Sequence, residues 1–221
     1  MRLFVAIIMA STALLRQFST QLANAMTQHR FDQAIALIDA ANREDPNRET
    51  CGGEDWPKEL LYSHRMSDML ERYAPDADDA MKLAVRAQHI RRWKSPRSDY
   101  PMDRKGYHQW RAALNQFHAD TVAGLLTKAG YDEAFITRVA QTVGKKSLKA
   151  NPDTQLLEDI AALVFLEHYL LDLASIPSTT NRNGSISFVK SGTRCQPRLG
   201  NLYWMCILRC RMRWLGWLGK R

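Results

Sequence analysis

Apolar residues recur every three or four positions in a series of segments between Phe31 and Leu173, and this spacing constrains the fold more than any other feature of the sequence. Such spacing places apolar side chains on one face of an α helix. No run alternates between apolar and polar residues for long enough to indicate a β sheet. The sequence therefore predicts a single all-α bundle of about six helices, with irregular extensions at both ends.

Local signals set the expected helix boundaries. Asp32 is expected to cap the first helix, which ends near Asp45-Pro46, and Gly130 is expected to end the fourth. Gly52-Gly53 indicates a polar loop after the first helix. The later helices are expected over Pro57–Leu70, Asp76–Trp93, Lys105–Ala129, Asp132–Val143 and Thr154–Leu173. The last of these is apolar nearly all round, which predicts a central position in the bundle.

The positive charge of the chain is concentrated at its two ends. Residues 1–31 hold three Lys or Arg residues and residues 174–221 hold nine, and neither segment contains an acid. Because the whole chain carries a formal charge of +8, the segment between them carries −4. A nucleic-acid-binding domain needs clustered Lys and Arg to neutralise phosphates, so no nucleic acid is expected as a partner of the core.

Residues 1–30 are predicted to be a targeting segment or a disordered extension. Their apolar run is shorter than the roughly 20 residues that a transmembrane helix needs. The lack of acids and the string Arg16-Gln17-Phe18-Ser19-Thr20 favour a mitochondrial presequence cleaved after Phe18, and hence the mitochondrial matrix. The alternatives are a secretory signal ending near Ala23-Asn24-Ala25 and a mis-assigned start codon, which would leave the protein in the cytoplasm.

Residues 174–221 differ in composition from the predicted bundle, which covers residues 31–173. They are first rich in Ser, Thr, Asn and Gly and then basic and rich in Trp, and no helical period runs through them. A membrane-surface segment is one interpretation. The favoured one is an aberrant or disordered tail produced by a frameshift or a mis-spliced exon. The cysteines show neither a disulfide framework nor a zinc-ribbon spacing, which is typical of a reducing compartment.

Several side chains that can bind a metal fall on the predicted inner faces of the helices. The candidates are His64, His89, His118 and Asp159, with Glu158 beside the last of them. His89, for example, follows Val85 at a step of four, which places both on one face of a helix. These positions are unusual because polar side chains on apolar stripes need a partner.

Two interpretations account for these residues. His and Asp side chains on facing helices build metal sites in bundles, and imidazole with carboxylate suits a divalent ion such as Mn, Fe, Co, Ni or Zn. Alternatively, each His is a hydrogen-bonded core residue, and Asp159 forms a structural ion pair with an Arg of a neighbouring helix.

The order of these residues resembles that of a known superfamily. His64, then Gln88-His89-Ile90, His118 and Glu158-Asp159 are similar to the His, His-Asp and Asp layout of the HD-type metal-dependent phosphohydrolases. Gln88-His89 stands where that superfamily has its His-Asp pair. The resemblance implies an HD-like bundle in which His64, His89, His118 and Asp159 hold the metal, while Asp159 and Glu158 act in catalysis.

Longer strings resemble an uncharacterised helical family known only as a domain of unknown function (4202). They include Ile38-Asp39-Ala40-Ala41-Asn42, Gln88-His89-Ile90-Arg91-Arg92-Trp93 and Pro96-Arg97-Ser98-Asp99-Tyr100-Pro101-Met102-Asp103. The family implies a helical fold and brings no assigned reaction.

Basic residues lie close in sequence to the candidate ligands. Arg91, Arg92, Arg97 and Arg104 follow His89, and Lys145 and Lys146 precede the helix of Asp159. Because guanidinium groups bind phosphate oxygens in pairs, a small phosphorylated ligand is predicted. The first predicted function is attack on a phosphoester or nucleotide by a metal-activated water. The second is a non-catalytic binding or scaffold module, in which a buried His/Asp/Arg network specifies the fold.

Overall fold

The computed structural model describes residues 2–146, 150–169, 178–180 and 186–188. Its helices are α1 (Arg2–Arg43), α2 (Lys58–Tyr73), α3 (Asp79–Arg86), α4 (Arg104–Lys128), α5 (Glu133–Val143) and α6 (Pro152–His168). Strands β1 (Arg48–Cys51) and β2 (Glu54–Pro57) form one antiparallel pair, and β3 (Ser178–Thr180) and β4 (Ile186–Phe188) form another. Short 3₁₀ turns cover Arg92–Lys94 and Arg97–Asp99. The prediction of an all-α bundle is confirmed.

Helix starts follow local side-chain chemistry. Asp78, Asp103, Asp132 and Asn151 precede α3, α4, α5 and α6, and the side chain of each accepts a hydrogen bond from an N–H group of the first turn. Such a cap contributes about 1 kcal/mol. Gly130 follows α4 with φ +81°, as predicted for a helix stop. The predicted limits of α4 and α5 therefore agree with the structure to within about one residue.

Helix α1 continues through the position where a helix start was predicted. The side chain of Asp32 accepts a hydrogen bond from the Gln28 amide at 2.8 Å, one turn back, so it lies on the helix surface and caps nothing. The sequence contains no Gly or Pro between Met1 and Arg43, so no local signal interrupts the helix. The guanidinium of Arg30 lies 4.5 Å from the ring centre of Tyr131, where α1 meets the bundle.

The segment between α1 and α2 forms a β hairpin where a polar loop was predicted. Gly52 and Gly53 have φ values of +62° and +85° and form a two-residue turn between β1 and β2. Only glycine adopts two successive positive φ angles at little cost. The strands are four residues long, too short to show an alternating pattern in the sequence.

Helix α3 ends at Arg86, earlier than the predicted limit at Trp93. Arg91 has φ +50°, and its N–H group donates to the side chain of Asn42 on α1 at 3.1 Å. The chain leaves the α-helical pattern before this contact, since the N–H groups of Gln88 and Ile90 donate to carbonyls three residues back. The bond to Asn42 then holds Arg91 against α1, ahead of the 3₁₀ turn at Arg92–Lys94.

Two apolar clusters fill the bundle, and α3 contributes to both. The first joins α1, α3, α4 and α5 and includes Ile38, Leu83, Val122, Leu126 and Val139. The second joins α2, α3 and α6 and includes Met66, Met81, Val85, Leu157 and Ile160. Helix α3 therefore lies between the two clusters, in the position predicted for the most apolar helix, α6.

The predicted tail of residues 174–221 lies outside the described residues, apart from the backbone of β3 and β4. In the described part of the chain, none of the helices has an apolar stretch of the length that crosses a bilayer. The targeting and compartment predictions stay predictions.

Candidate functional site

One of the predicted ligands, His64, belongs to a closed polar cluster that we call the Asp39 cluster: Asp39, His64 and Arg86. The Arg86 guanidinium donates to both carboxylate oxygens of Asp39 at 2.7 Å, and its Nη2 lies 2.9 Å from Nε2 of His64. The side chains of Arg86 and Asp39 are 8% and 18% exposed. Burial and the Arg86 charge lower the pKa of His64. The cluster ties α1, α2 and α3 together, and its charges compensate each other.

His89 and His118 belong to a second group, which we call the His89 cluster. Its members are Glu59 and Tyr62 on α2, His89 and Arg92 after α3, Arg111 and His118 on α4, Lys145 after α5 and Glu158 on α6. Each charged or aromatic group comes from a helix or turn whose apolar face packs in the bundle. The packing of these helices and turns therefore brings the members of the cluster together.

The contacts of His89 fix the roles of its two ring nitrogens. Nε2 lies 3.0 Å from Nη1 of Arg92, and Nδ1 lies 3.3 Å from Oε2 of Glu59. A guanidinium only donates, so Nε2 accepts and Nδ1 carries the proton that faces Glu59. The ring of Tyr62 stacks on His89 at 4.2 Å, and its hydroxyl donates to Gln88 at 3.3 Å. These contacts fix the orientation of the His89 ring.

His118 is the buried polar group of the cluster with a free ring nitrogen. His118 is 3% exposed, and its ring centre lies 6.1 Å from that of His89. Among the described residues, Nε2 of His118 has no hydrogen-bond partner. An unsatisfied buried nitrogen costs about 1–3 kcal/mol, so the atom is available to a bound group. Burial lowers the pKa of His118 to about 2, and the ring is neutral at physiological pH.

Two arginines of the cluster form no salt bridge with a carboxylate among the described residues. Arg92 contacts His89 and lies over the Trp110 ring at 5.6 Å, and Arg111 is two helical turns before His118 on α4. Neither forms a salt bridge with any residue that the structure describes. Arg92 and Arg111 both lower the pKa values of His89 and His118, after the larger effect of burial. The field at the two imidazoles is therefore positive.

Lys145 adds a third cation, which is paired with Glu158. Its side chain is 14% exposed, and burial lowers its pKa despite the carboxylate beside it. Lys145 has φ +56° and follows α5 at the position where helices usually place glycine. The N–H groups of Lys145 and Lys146 donate to the carbonyls of Thr142 and Gln141 at 3.1 and 3.0 Å.

The same turn follows α4, where Gly130 takes the left-handed position with φ +81°. The N–H groups of Gly130 and Tyr131 there donate to Thr127 and Leu126. A side chain in this conformation costs about 1 kcal/mol relative to glycine. Arg91 and Lys145 are the non-glycine residues with positive φ in the described part of the chain, and one adjoins the His89 cluster while the other belongs to it. Strain of this kind collects at functional sites.

Glu59 is the acid of the cluster. It is 8% exposed, and burial raises its pKa from 4.5 to about 7, although the Arg92 charge acts in the opposite direction. Near neutral pH the carboxyl group is therefore poised between its protonated and ionised forms. Such a group transfers protons efficiently at physiological pH.

The other predicted site residues lie elsewhere. Arg91 pairs with Glu44 at 2.9 Å, and Arg97 donates to the carbonyls of Tyr100, Pro101 and Asp103. Asp159 accepts a hydrogen bond from Gln155 at 2.7 Å, on its own helix. Arg104 and Lys146 are exposed. The structure thus brings together His89, His118, Arg92, Lys145 and Glu158 from the predicted set.

Glu59, Tyr62 and Arg111 were not predicted as site residues. Glu59 lies seven positions before the buried Met66, on the inner face of α2. The phase rule that selected Asp159 also selects Glu59. Arg111 precedes His118 by seven positions in the same way. Tyr62 carried no signal of this kind, because an aromatic residue on an inner face is ordinarily core.

A divalent metal at these residues stays a prediction. Within the described residues no group of three or more His, Cys, Asp and Glu side chains is arranged to hold a metal ion. Both ring nitrogens of His89 are engaged by Arg92 and Glu59, and Asp159 contacts Gln155. As these side chains stand, His89, His118 and Asp159 do not form a donor set that fits a metal.

Comparisons with known proteins give one match. No curated protein and no solved structure is significantly similar to the chain. A family model described as "Domain of unknown function (DUF4202)" matches residues 32–185. This range includes every residue of the Asp39 cluster and of the His89 cluster. The chain belongs to the DUF4202 family.

Proposed function

We propose that the domain hydrolyses a small phosphoester at the His89 cluster. The observation that carries this proposal is that Arg92 and Arg111 form no salt bridge within the described residues and that both are near Glu59, an acid with a pKa of about 7. Structural clusters pair their charges, as the Asp39 cluster does. Guanidinium groups that form no salt bridge favour a bound anion, and phosphate fits the guanidinium fork.

The reaction follows from the positions of these groups. Arg92 and Arg111 bind the phosphoryl oxygens, where charge develops in the transition state. A water molecule attacks phosphorus, the bond to the leaving oxygen breaks, and protonated Glu59 gives its proton to that oxygen. The attacking water brings two protons: one stays on the released hydrogen phosphate, and the other passes to Glu59 and restores its protonated form. His89 holds Glu59 in place through Nδ1. No step depends on a metal ion.

Steady-state hydrolysis tests the proposal. The purified chain is assayed with a panel of phosphomonoesters and phosphodiesters, before and after dialysis against a chelator and with added Mn²⁺ or Zn²⁺. Arg92→Gln and Glu59→Gln are expected to abolish turnover, while Lys128→Gln, an exposed residue at the far end of α4, serves as the control. Turnover that is equal in all four proteins would overturn the proposal. Loss of turnover after dialysis against the chelator would support the predicted divalent metal ion.

A second candidate function is a non-catalytic binding or scaffold module. The Asp39 cluster favours it, because a His, Asp and Arg network holds three helices together, and none of its buried polar atoms lacks a partner among the described residues. In that case the His89 cluster binds a phosphorylated ligand and leaves it unchanged. Ligand binding without turnover distinguishes this function from hydrolysis.

A further inference from the structure

We propose that the His89 cluster selects a terminal phosphate with two negative charges, that is a phosphomonoester, over a phosphodiester or another singly charged anion. This inference names the substrate class of the proposed function and rests on it.

When Glu59 is protonated, the other charges of the cluster leave two cations uncompensated. Lys145 and Glu158 form an ion pair and cancel. Arg92 and Arg111 have no salt-bridge partner within the described residues. Partly buried charges are screened weakly by water, so a ligand that leaves one of them unmatched loses much of the attraction. A ligand with two negative charges matches the pair.

The remaining titratable groups of the cluster are neutral or become neutral when such a ligand binds. Burial and the neighbouring cations lower the pKa values of His89 and His118, so both rings are uncharged. Burial raises the pKa of Glu59 to about 7 in the free protein, while the charges of Arg92 and Lys58 lower it and that of Asp45 raises it. A dianion beside Glu59 raises that pKa further, because like charges disfavour ionisation. Binding therefore takes up a proton.

His118 supplies an independent reason to expect a ligand in this position. Its Nε2 atom is buried and has no partner in the described part of the chain. A neutral imidazole can donate one hydrogen bond to a phosphoryl oxygen without adding charge. The three groups, Arg92, Arg111 and His118, then offer donors to the three terminal oxygens that a monoester has and a diester lacks.

Isothermal titration calorimetry with methyl phosphate and dimethyl phosphate tests the inference. At pH 7.5 the full-length chain is expected to bind methyl phosphate at least about tenfold more tightly than dimethyl phosphate. Titration in buffers of different ionisation enthalpy should show net proton uptake. Arg92→Gln and Arg111→Gln should each reduce the preference to about threefold or less, whereas Lys128→Gln should leave it unchanged.

The variant Glu158→Gln controls for loss of folding, because it is expected to raise the affinity for methyl phosphate, whereas a misfolded protein would lower it. Without Glu158, Lys145 becomes a third free cation, and methyl phosphate should bind more tightly than to the parent chain. Equal affinities for the two probes, or weaker methyl phosphate binding by Glu158→Gln, would overturn the selectivity. No binding of either probe would overturn the proposed function as well. Selective binding without hydrolysis of any monoester would overturn only the proposed reaction.

Discussion

The two polar clusters of the bundle use similar side chains and differ in how their charges are matched. In the Asp39 cluster, one guanidinium binds both oxygens of one carboxylate and also contacts His64. In the His89 cluster, two guanidinium groups form no salt bridge and one histidine nitrogen has no hydrogen-bond partner among the described residues, and Lys145 adopts a strained backbone conformation.

This difference separates a structural network from a binding site. A buried network that satisfies all its members stabilises one arrangement of helices. A network that leaves cations and a buried nitrogen unmatched lowers stability, and it persists where a ligand supplies what is missing. Residue type alone, a His near an Arg and an acid, does not distinguish the two cases.

The largest expected effect is on the stability of the closed cluster. Asp39→Ala leaves Arg86 buried without its carboxylate and should lower the free energy of unfolding by about 3–5 kcal/mol. Urea denaturation followed by circular dichroism measures it. The double variant Asp39→Ala with Arg86→Met should recover part of the loss, because no unpaired charge remains. A loss below about 1 kcal/mol would show that the Asp39 cluster is not a closed structural network.

The pH dependence of the unfolding free energy tests the assignment of Glu59 in the His89 cluster. The pKa of Glu59 rises from 4.5 to about 7 on folding, so the folded state binds the proton more tightly and stability falls as pH rises between those values. Glu59→Gln removes this loss and should be more stable than the parent chain by about 3 kcal/mol at pH 8. The difference should shrink to about 1 kcal/mol at pH 5.

The histidines contribute in the opposite direction. The pKa values of His89 and His118 are lowered on folding. Above pH 6.5 the rings are neutral in both the folded and the unfolded chain. Below pH 6.5 the unfolded chain takes up protons on these rings and the folded chain does not, so stability falls. Glu59→Gln should leave this acid-side decrease in place. A variant whose unfolding free energy follows the parent at every pH from 5 to 8 would contradict the assignment of Glu59.

The proposed reaction gives the next effect. Glu59→Gln keeps the shape of the side chain and removes the proton donor, so hydrolysis of a phosphomonoester should fall about a hundredfold or more. Binding of methyl phosphate should remain within about threefold of the parent chain. His64→Gln, in the closed cluster, is the matched control and should leave kcat unchanged. A rate loss shared by both variants would point to a general effect on folding.

The smallest effect concerns the strained lysine. Lys145→Gly restores the residue that usually ends such a helix, so relief of strain should offset the lost ion pair and keep the unfolding free energy within about 1 kcal/mol. Affinity for methyl phosphate should fall about tenfold, because Glu158 is left as an unpaired anion. Gly130→Ala at the equivalent turn after α4 should lose about 1 kcal/mol of stability and no affinity.

The fold was predictable to the extent that local chemistry determines it. The caps at Asp103 and Asp132 and the stop at Gly130 act within one turn, so they fixed the limits of α4 and α5. The early end of α3 was not predictable, because the sequence from Arg86 to Trp93 contains no Gly or Pro, and the contact of Arg91 with Asn42 joins residues far apart in the sequence.

The candidate site was predictable in part for the same reason. Helical phase placed His89 and His118 on inner faces, and the structure brings their rings to 6.1 Å. Helical phase predicts which face of a helix a residue occupies, but it does not predict which residue of another helix packs against it. The pairing of Arg86 with Asp39, 47 residues apart, and of Lys145 with Glu158 depends on helix packing, and it decides which cations stay free.

The His89 cluster takes its groups from α2, the turn after α3, α4, the turn after α5, and α6. No single helix contains them, and loss of α2, α4 or α6 would remove a member of the cluster. Occupancy of the site would therefore report on the integrity of the whole bundle. A bound phosphate should raise the melting temperature of the entire domain, since binding to the folded state alone shifts the folding equilibrium by mass action.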